Sequence, residues 1–144
     1  MLIPVFVILV FPVIFIAMWL FIIGVFAWLG GWQTLASTYR APEKDGRTGR
    51  TMFTVTMGRF SFPRVHYRGV LQVAYSNDVM TLWPNVLFRF RHPALSLPKS
   101  EMIVRDRKGW LRRYAEVRMK AHPKIRIHMP IHHFHWSDMI APEA

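Results

Sequence analysis

The sequence predicts a membrane-anchored, mainly β protein: one N-terminal transmembrane helix followed by a small antiparallel β barrel or sandwich. Three observations carry that prediction. Residues 2–30 hold no charged side chain and are almost entirely Leu, Ile, Val, Phe, Trp, Met and Ala, and about 20 such residues in a helix cross a bilayer. All 19 Lys and Arg lie after residue 39, against 8 acidic residues, so the net charge of +11 belongs to the remainder of the chain. Beyond residue 50, short runs rich in β-branched and aromatic residues are punctuated by Gly, Pro, Asn and Asp, the pattern of strands joined by tight turns.

The apolar stretch reads as an uncleaved anchor. A signal peptide has a basic leader, an apolar core of roughly 7 to 15 residues and a small-residue cleavage site. Here no basic residue precedes the run, which ends in Gly30-Gly31-Trp32. Pro4 suits a first turn, and Pro12 is expected to mark a bend, because proline removes a backbone donor that membrane helices can do without. Gly24 and the Gly30-Gly31 pair permit close backbone approach without forming GxxxG. Trp32, Leu35, Ala36 and Tyr39 fall at i, i+3, i+4 and i+7, so the helix is predicted to continue about two turns through residues 31–42 with one apolar face. Trp28, Trp32, Tyr39 and Arg40 are the expected membrane-interface residues. Arg40, Lys44, Arg47 and Arg50 follow the helix directly and nothing basic precedes it, which predicts a cytoplasmic C-terminal part with Met1 outside. The expected organisation is an anchor with its amphipathic extension over 1–40, a linker over 41–50 and a basic domain over 51–144.

In that domain, strands are predicted at 51–57, 69–75, 79–83, 95–97, 102–106, 114–119 and 124–129. The clearest alternations set Ala115, Val117 and Met119 against Tyr114, Glu116 and Arg118, and Ile125, Ile127 and Met129 against Lys124, Arg126 and His128, each with one dry face and one wet face. Ser76-Asn77-Asp78, Arg107-Lys108-Gly109 and Lys120-Ala121-His122-Pro123 read as turns. Residues 131–141 read as a short helix or an extended tail.

The run YRGVLQVAYSNDVMTLWPNVLFRFRHPALSLPKSEMIV resembles the central part of bacterial PH-like or GRAM-like domains, with Leu97-Pro98-Lys99-Ser100-Glu101-Met102-Ile103 standing for an I-P-x-S-E-I strand. With GWQTLASTYR it is similar to small single-pass bacterial membrane proteins that carry G-W-x-x-L-A-x-x-Y-R after the anchor. The resemblance covers about residues 30 to 129. It implies an interaction or lipid-binding module in the bacterial inner membrane, not a reaction.

No catalytic residues emerge from the sequence. The eight acidic residues are scattered, whereas acid–base chemistry needs poised pairs in a cleft; Ser76 and Ser100 sit in no nucleophile motif, and there is no glycine-rich phosphate loop. His128, His132, His133 and His135 cluster in HMPIHHFHW and are the candidate metal ligands, weighed against a plain surface tail. No cofactor is predicted.

The basic residues are the stronger signal. Arg89 and Arg91 in FRFRH, and Arg107, Lys108, Arg112 and Arg113 around Trp110 and Leu111 in RDRKGWLRR, interleave cations with apolar side chains. Such surfaces suit anionic lipid headgroups or the acidic face of another membrane subunit; nucleic acid is not expected. Trp110 reads either as a hairpin tip or as a buried ring, and NVLFRFRHPAL as an internal strand or an exposed loop. The leading expectation is a non-catalytic accessory or scaffold subunit of a larger membrane complex, with membrane lipids and other integral subunits as partners. The alternatives are a stand-alone module for anionic lipids and a histidine metal site.

Overall fold

The computed structural model describes residues 2–42, 50–52, 54–60 and 63–141. An N-terminal apolar helix, α1 (Leu2–Leu29), is followed by a short helix, α2 (Trp32–Tyr39). Nine strands follow: β1 (Arg50–Met52), β2 (Val55–Gly58), β3 (Val65–Tyr67), β4 (Leu71–Ser76), β5 (Val79–Pro84), β6 (Leu95–Pro98), β7 (Met102–Lys108), β8 (Arg113–Met119) and β9 (His122–Pro130). Most of the expected linker, residues 43–49, lies outside the described residues.

α1 is helical straight through Pro12 and is long and apolar enough to cross a membrane. Its side chains from Pro4 to Met18 are exposed all round, apart from a half-buried Val10. Beyond Trp19 one face is covered, with Ile23 and Ala27 in the interior. The helix does not run on through 31–42 as expected. It breaks at Gly30-Gly31, where Gly31 takes the left-handed region (φ 75°) that glycine enters without steric cost. A Cβ on Gly31 would also stand 2.9 Å from Ile125 Cγ1 and Cδ1, so β9 can approach only a glycine here. The predicted apolar face of α2 does exist: Trp32, Leu35 and Tyr39 are buried and Ala36 half-buried, all turned onto the β domain.

The strands form two antiparallel sheets, ordered β1-β4-β5-β6 and β3-β2-β9-β8-β7. Both sheets end in edge strands, so no barrel closes among the described residues. Their inward faces meet in one hydrophobic cluster, with Leu71, Met80, Leu82, Leu95 and Leu97 from the first sheet and Met57, Val117, Met119, Ile127 and Met129 from the second. The dry faces read from β8 and β9 are the ones buried. The stretch expected as one strand at 51–57 is two. β1 pairs with β4 in the first sheet, while β2 pairs with β3 and β9 in the second. Composition cannot signal such a crossing, because both halves suit a strand equally.

Residues 131–141 are neither helix nor free tail. They make two 3₁₀ turns, Ile131–His133 and Ser137–Met139, bury Phe134 and Trp136, and end with Ala141 bridged to Arg105. Lys99 holds this segment by pairing with Asp138 at 3.2 Å and lying over the Trp136 ring.

Candidate functional site

The site is built where α1 enters the β domain. Between β5 and β6 the chain makes a 3₁₀ turn, Val86–Phe88, and then a loop through Arg89, Phe90 and Arg91. NVLFRFRHPAL is thus an exposed loop, not an internal strand, with Val86 and Leu87 each 73% exposed. It lies along α1: Trp19 Nε1 donates to the Leu87 carbonyl at 3.4 Å, and the Trp19 and Phe88 rings are 5.4 Å apart. On another side of the helix end, the Arg59 N–H donates to the Leu29 carbonyl, and Phe60 is exposed beside it.

A buried aromatic clasp holds the loop. Trp32 Nε1 donates to the Pro93 carbonyl at 2.8 Å, and its ring contacts those of Tyr67 and His92. His92 Nε2 is 2.9 Å from the Tyr67 hydroxyl, and Nδ1 is 3.0 Å from the Phe90 carbonyl. Because a carbonyl can only accept, Nδ1 carries the proton and Nε2 accepts from Tyr67. Burial pushes the His92 pKa down, against the opposing Phe90 hydrogen bond, and pushes the Tyr67 hydroxyl up. Just before this clasp Arg91 sits at φ 59°, a region sparsely populated by residues other than glycine that costs of order 1 kcal/mol and tends to mark functional sites.

Two adjoining cavities result. The larger, about 960 Å³, lies between α2 and the β5–β6 connection, with Arg40, Arg89 and Arg91 around it together with Gln33, Ser37 and Trp83. No carboxylate lines it among the described residues. The smaller, about 400 Å³, runs beside α1 and is apolar, lined by Leu20, Phe21, Gly24, Val25, Trp28 and Phe90. Gln33 and Arg91 border both. The Arg91 stem lies over Gly24, where a Cβ would stand 3.4 Å from Arg91 Cδ. With the Gln33 amide turned so that its oxygen faces Arg91, that oxygen accepts from Nε at 2.6 Å and Nη2 at 3.2 Å.

The expected site residues divide accordingly. Trp28 is exposed, and Arg40 is exposed with its backbone bridged to Leu95. Trp32 and Tyr39, expected at a membrane interface, are core residues instead, since each has its polar atom satisfied inside the domain. Tyr39 donates to Glu101, and burial followed by that carboxylate pushes its pKa up to about 12. Arg40, Arg89 and Arg91 converge on one cavity, whereas Arg107, Lys108, Trp110, Arg112 and Arg113 gather at the separate β7–β8 hairpin. Its tip is open, with Trp110 98% and Leu111 87% exposed. Arg113 pairs with the buried Asp106.

The histidines do not converge. His128 Nε2 faces Glu116 Oε2 at 3.0 Å, His132 and His133 lie ring to ring, and His135 turns to Tyr75. Among the described residues no group of three or more metal-binding side chains comes together. Trp19, Gln33 and His92 were missed by the sequence reading, whereas Gly24 was noted there as a place for close backbone approach and not as part of a site.

No protein-family model, no curated protein and no solved structure matches this chain. Its chemistry is therefore read from its own side chains.

Acidity should destabilise the β domain through His92 and His128. His128, like His92, has its pKa pushed down, by burial first and then by Arg64 and Arg126, against the raising effect of Glu116. Both folded values lie below the ordinary 6.5, so in that window the unfolded chain binds more protons than the folded one. Their contribution to stability is complete above pH 6.5 and is lost as pH falls below it. Thermal melts of the detergent-solubilised protein are expected to be level above neutrality and to move to lower temperature on acidification. A melting temperature that rises between neutrality and about pH 5.5 would contradict the assignment.

Proposed function

We propose that the chain is a non-catalytic, single-pass membrane protein whose PH-like β domain rests on an anionic leaflet and holds its headgroups. The carrying observation is the contact of Trp19 with Leu87 and Phe88, ten residues before the end of α1. A 28-residue helix is about 42 Å long, and a bilayer core is about 30 Å thick, so about eight residues project beyond the core. On that stretch the β domain covers one face, with Ile23 and Ala27 buried. Trp19 then lies at the hydrocarbon boundary, where tryptophan is favoured. The exposed Val86 and Leu87 enter the interface beside it, and Arg59, Arg89 and Arg91 reach headgroup level. Each such cation contributes about 1 kcal/mol near an anionic surface. The distribution of Lys and Arg favours a cytoplasmic β domain.

The chain contains no cysteine, so single-cysteine labelling tests this directly. In proteoliposomes, an environment-sensitive fluorophore on Leu87→Cys is expected to emit as in an apolar medium and to be quenched by lipid-borne quenchers. The same fluorophore on Asn77→Cys, in the β4–β5 turn, should behave as in water. Equal behaviour at both positions would remove the membrane-resting arrangement.

One observation favours the accessory-subunit reading as a second: the open Trp110-Leu111 tip flanked by Arg107, Lys108, Arg112 and Arg113. Exposed aromatics ringed by arginine are common in protein interfaces. Stoichiometric co-purification in mild detergent that is lost with Trp110→Ser would support it, and a lone chain in native mass spectrometry would count against it.

A further inference from the structure

The two cavities at the helix–domain junction differ in chemistry yet share a wall, and that juxtaposition suits an amphiphile. We infer that together they bind one anionic phospholipid molecule, its phosphate among Arg40, Arg89 and Arg91 and one acyl chain in the groove beside α1. This deepens the reading proposed above and rests on α1 lying in the bilayer.

Both halves are built for such a ligand. The larger cavity, about 960 Å³, falls within the range of small-molecule sites, and its three guanidiniums can donate in the paired geometry that phosphate oxygens accept. Arg91 is pre-set for this. Its stem is laid against Gly24, its Nε and Nη2 are engaged by Gln33, and the neutral, buried His92 fixes the turn that carries it. The groove supplies a wall of Phe21, Gly24, Val25 and Trp28, and Gly24 keeps it open where any larger side chain would stand against Arg91. The groove runs along α1 from Leu20 and Phe21, just inside the hydrocarbon boundary of the membrane-resting arrangement, to Gly24, Val25 and Trp28 beyond it, so an acyl chain would be drawn up out of the core to fill it. A free phosphate shares the headgroup chemistry but makes no use of the groove.

The test is native mass spectrometry of the full-length protein in mild detergent, titrated separately with phosphatidylglycerol, phosphatidylcholine and inorganic phosphate. One phosphatidylglycerol per chain is expected to be retained, with phosphatidylcholine bound at least tenfold more weakly. The Arg89→Ala/Arg91→Ala variant should lose affinity at least tenfold, whereas Lys108→Ala/Arg112→Ala, at the separate β7–β8 hairpin, should bind as the parent does. Phe21→Ala, in the wall of the groove and not in that of the larger cavity, should weaken the lipid while leaving a headgroup-only glycerophosphate unaffected. Should the arginine pair variant fail to fold by circular dichroism, Arg40→Gln, whose side chain makes no fold contact among those described, is expected to show the same loss of preference for phosphatidylglycerol.

Inorganic phosphate displacing the lipid at equal concentration would overturn the inference in favour of a free-phosphate site. Equal losses in both pair variants would reduce it to general surface charge, and a protein that co-purifies over the groove in place of lipid would overturn it in favour of a partner. Membranes washed at alkaline pH separate the two levels of argument. Release of the protein overturns the membrane reading itself, whereas retention without phosphatidylglycerol preference overturns only the lipid site.

Discussion

Replacing Trp32 by alanine is expected to destabilise the β domain by about 4 kcal/mol, within the range for large aromatic truncations in a core. The indole is wholly buried, contacts the rings of Tyr67 and His92, and donates to Pro93. Truncation opens a void against Tyr67 and His92, beneath the loop that carries Arg89 and Arg91. It also strands the Pro93 carbonyl, and an unsatisfied buried acceptor adds its own penalty. Against a total stability of order 5–15 kcal/mol, such a loss is a large fraction. At about 4–8 °C per kcal/mol for a domain near 100 residues, melting should fall by at least about 15 °C. Trp32→Phe keeps a six-membered ring but loses the five-membered half of the indole together with its hydrogen bond, so it should cost about 2 kcal/mol, less than alanine. Thermal and urea melts by circular dichroism check both, and an alanine variant that melts within a few degrees of the parent would show that the clasp is not packed as described.

Glu116→Ala should have the second largest effect, about 3 kcal/mol, because it leaves charges facing one another without their partner. The Glu116 carboxylate is 2% exposed. Oε1 accepts from Arg118 Nε at 2.8 Å and Nη2 at 2.6 Å, Oε2 faces His128 at 3.0 Å, and Arg107 Nε stands 3.6 Å away. Burial alone would push its pKa up. The hydrogen bonds and charge of Arg118, followed by those of His128, outweigh burial and hold it below the ordinary value. Its contribution is therefore present above the unfolded value near 4.5 and is lost as pH falls through the folded one. Glu116→Gln keeps one acceptor for Arg118 and should cost less than the alanine variant. Denaturation at neutral pH ranks the two, and equal stability of Glu116→Ala and the parent would mean that the cluster contributes nothing net.

How far this was legible in the sequence varies by element. The alternation in residues 114–119 and 124–129 located β8 and β9 and their buried faces, because a period of two is a local property. The same pattern put Glu116 on the wet side, and it failed there because Arg118, Arg107 and His128 close over that carboxylate. The i, i+3, i+4, i+7 spacing of Trp32, Leu35, Ala36 and Tyr39 found the apolar face of α2 but assigned Trp32 and Tyr39 to a membrane interface. Tryptophan suits a headgroup layer and a domain core alike, and only the bond to Pro93, 61 positions away, decides between them. β3, three residues long, was missed because it is too short to show a period.

By itself, then, the sequence determined an uncharged helix long enough to cross a bilayer, a basic β-rich remainder and the approximate positions of most strands. Each of these follows from composition or from a repeat within a few neighbouring residues. Only the tertiary structure decided that the helix breaks at Gly31, that β1 and β2 belong to different sheets, and that Arg40, Arg89 and Arg91 surround one cavity beside an apolar groove. Those outcomes depend on side chains about 50 positions apart packing together, and no local pattern of charge or hydrophobicity encodes such a meeting.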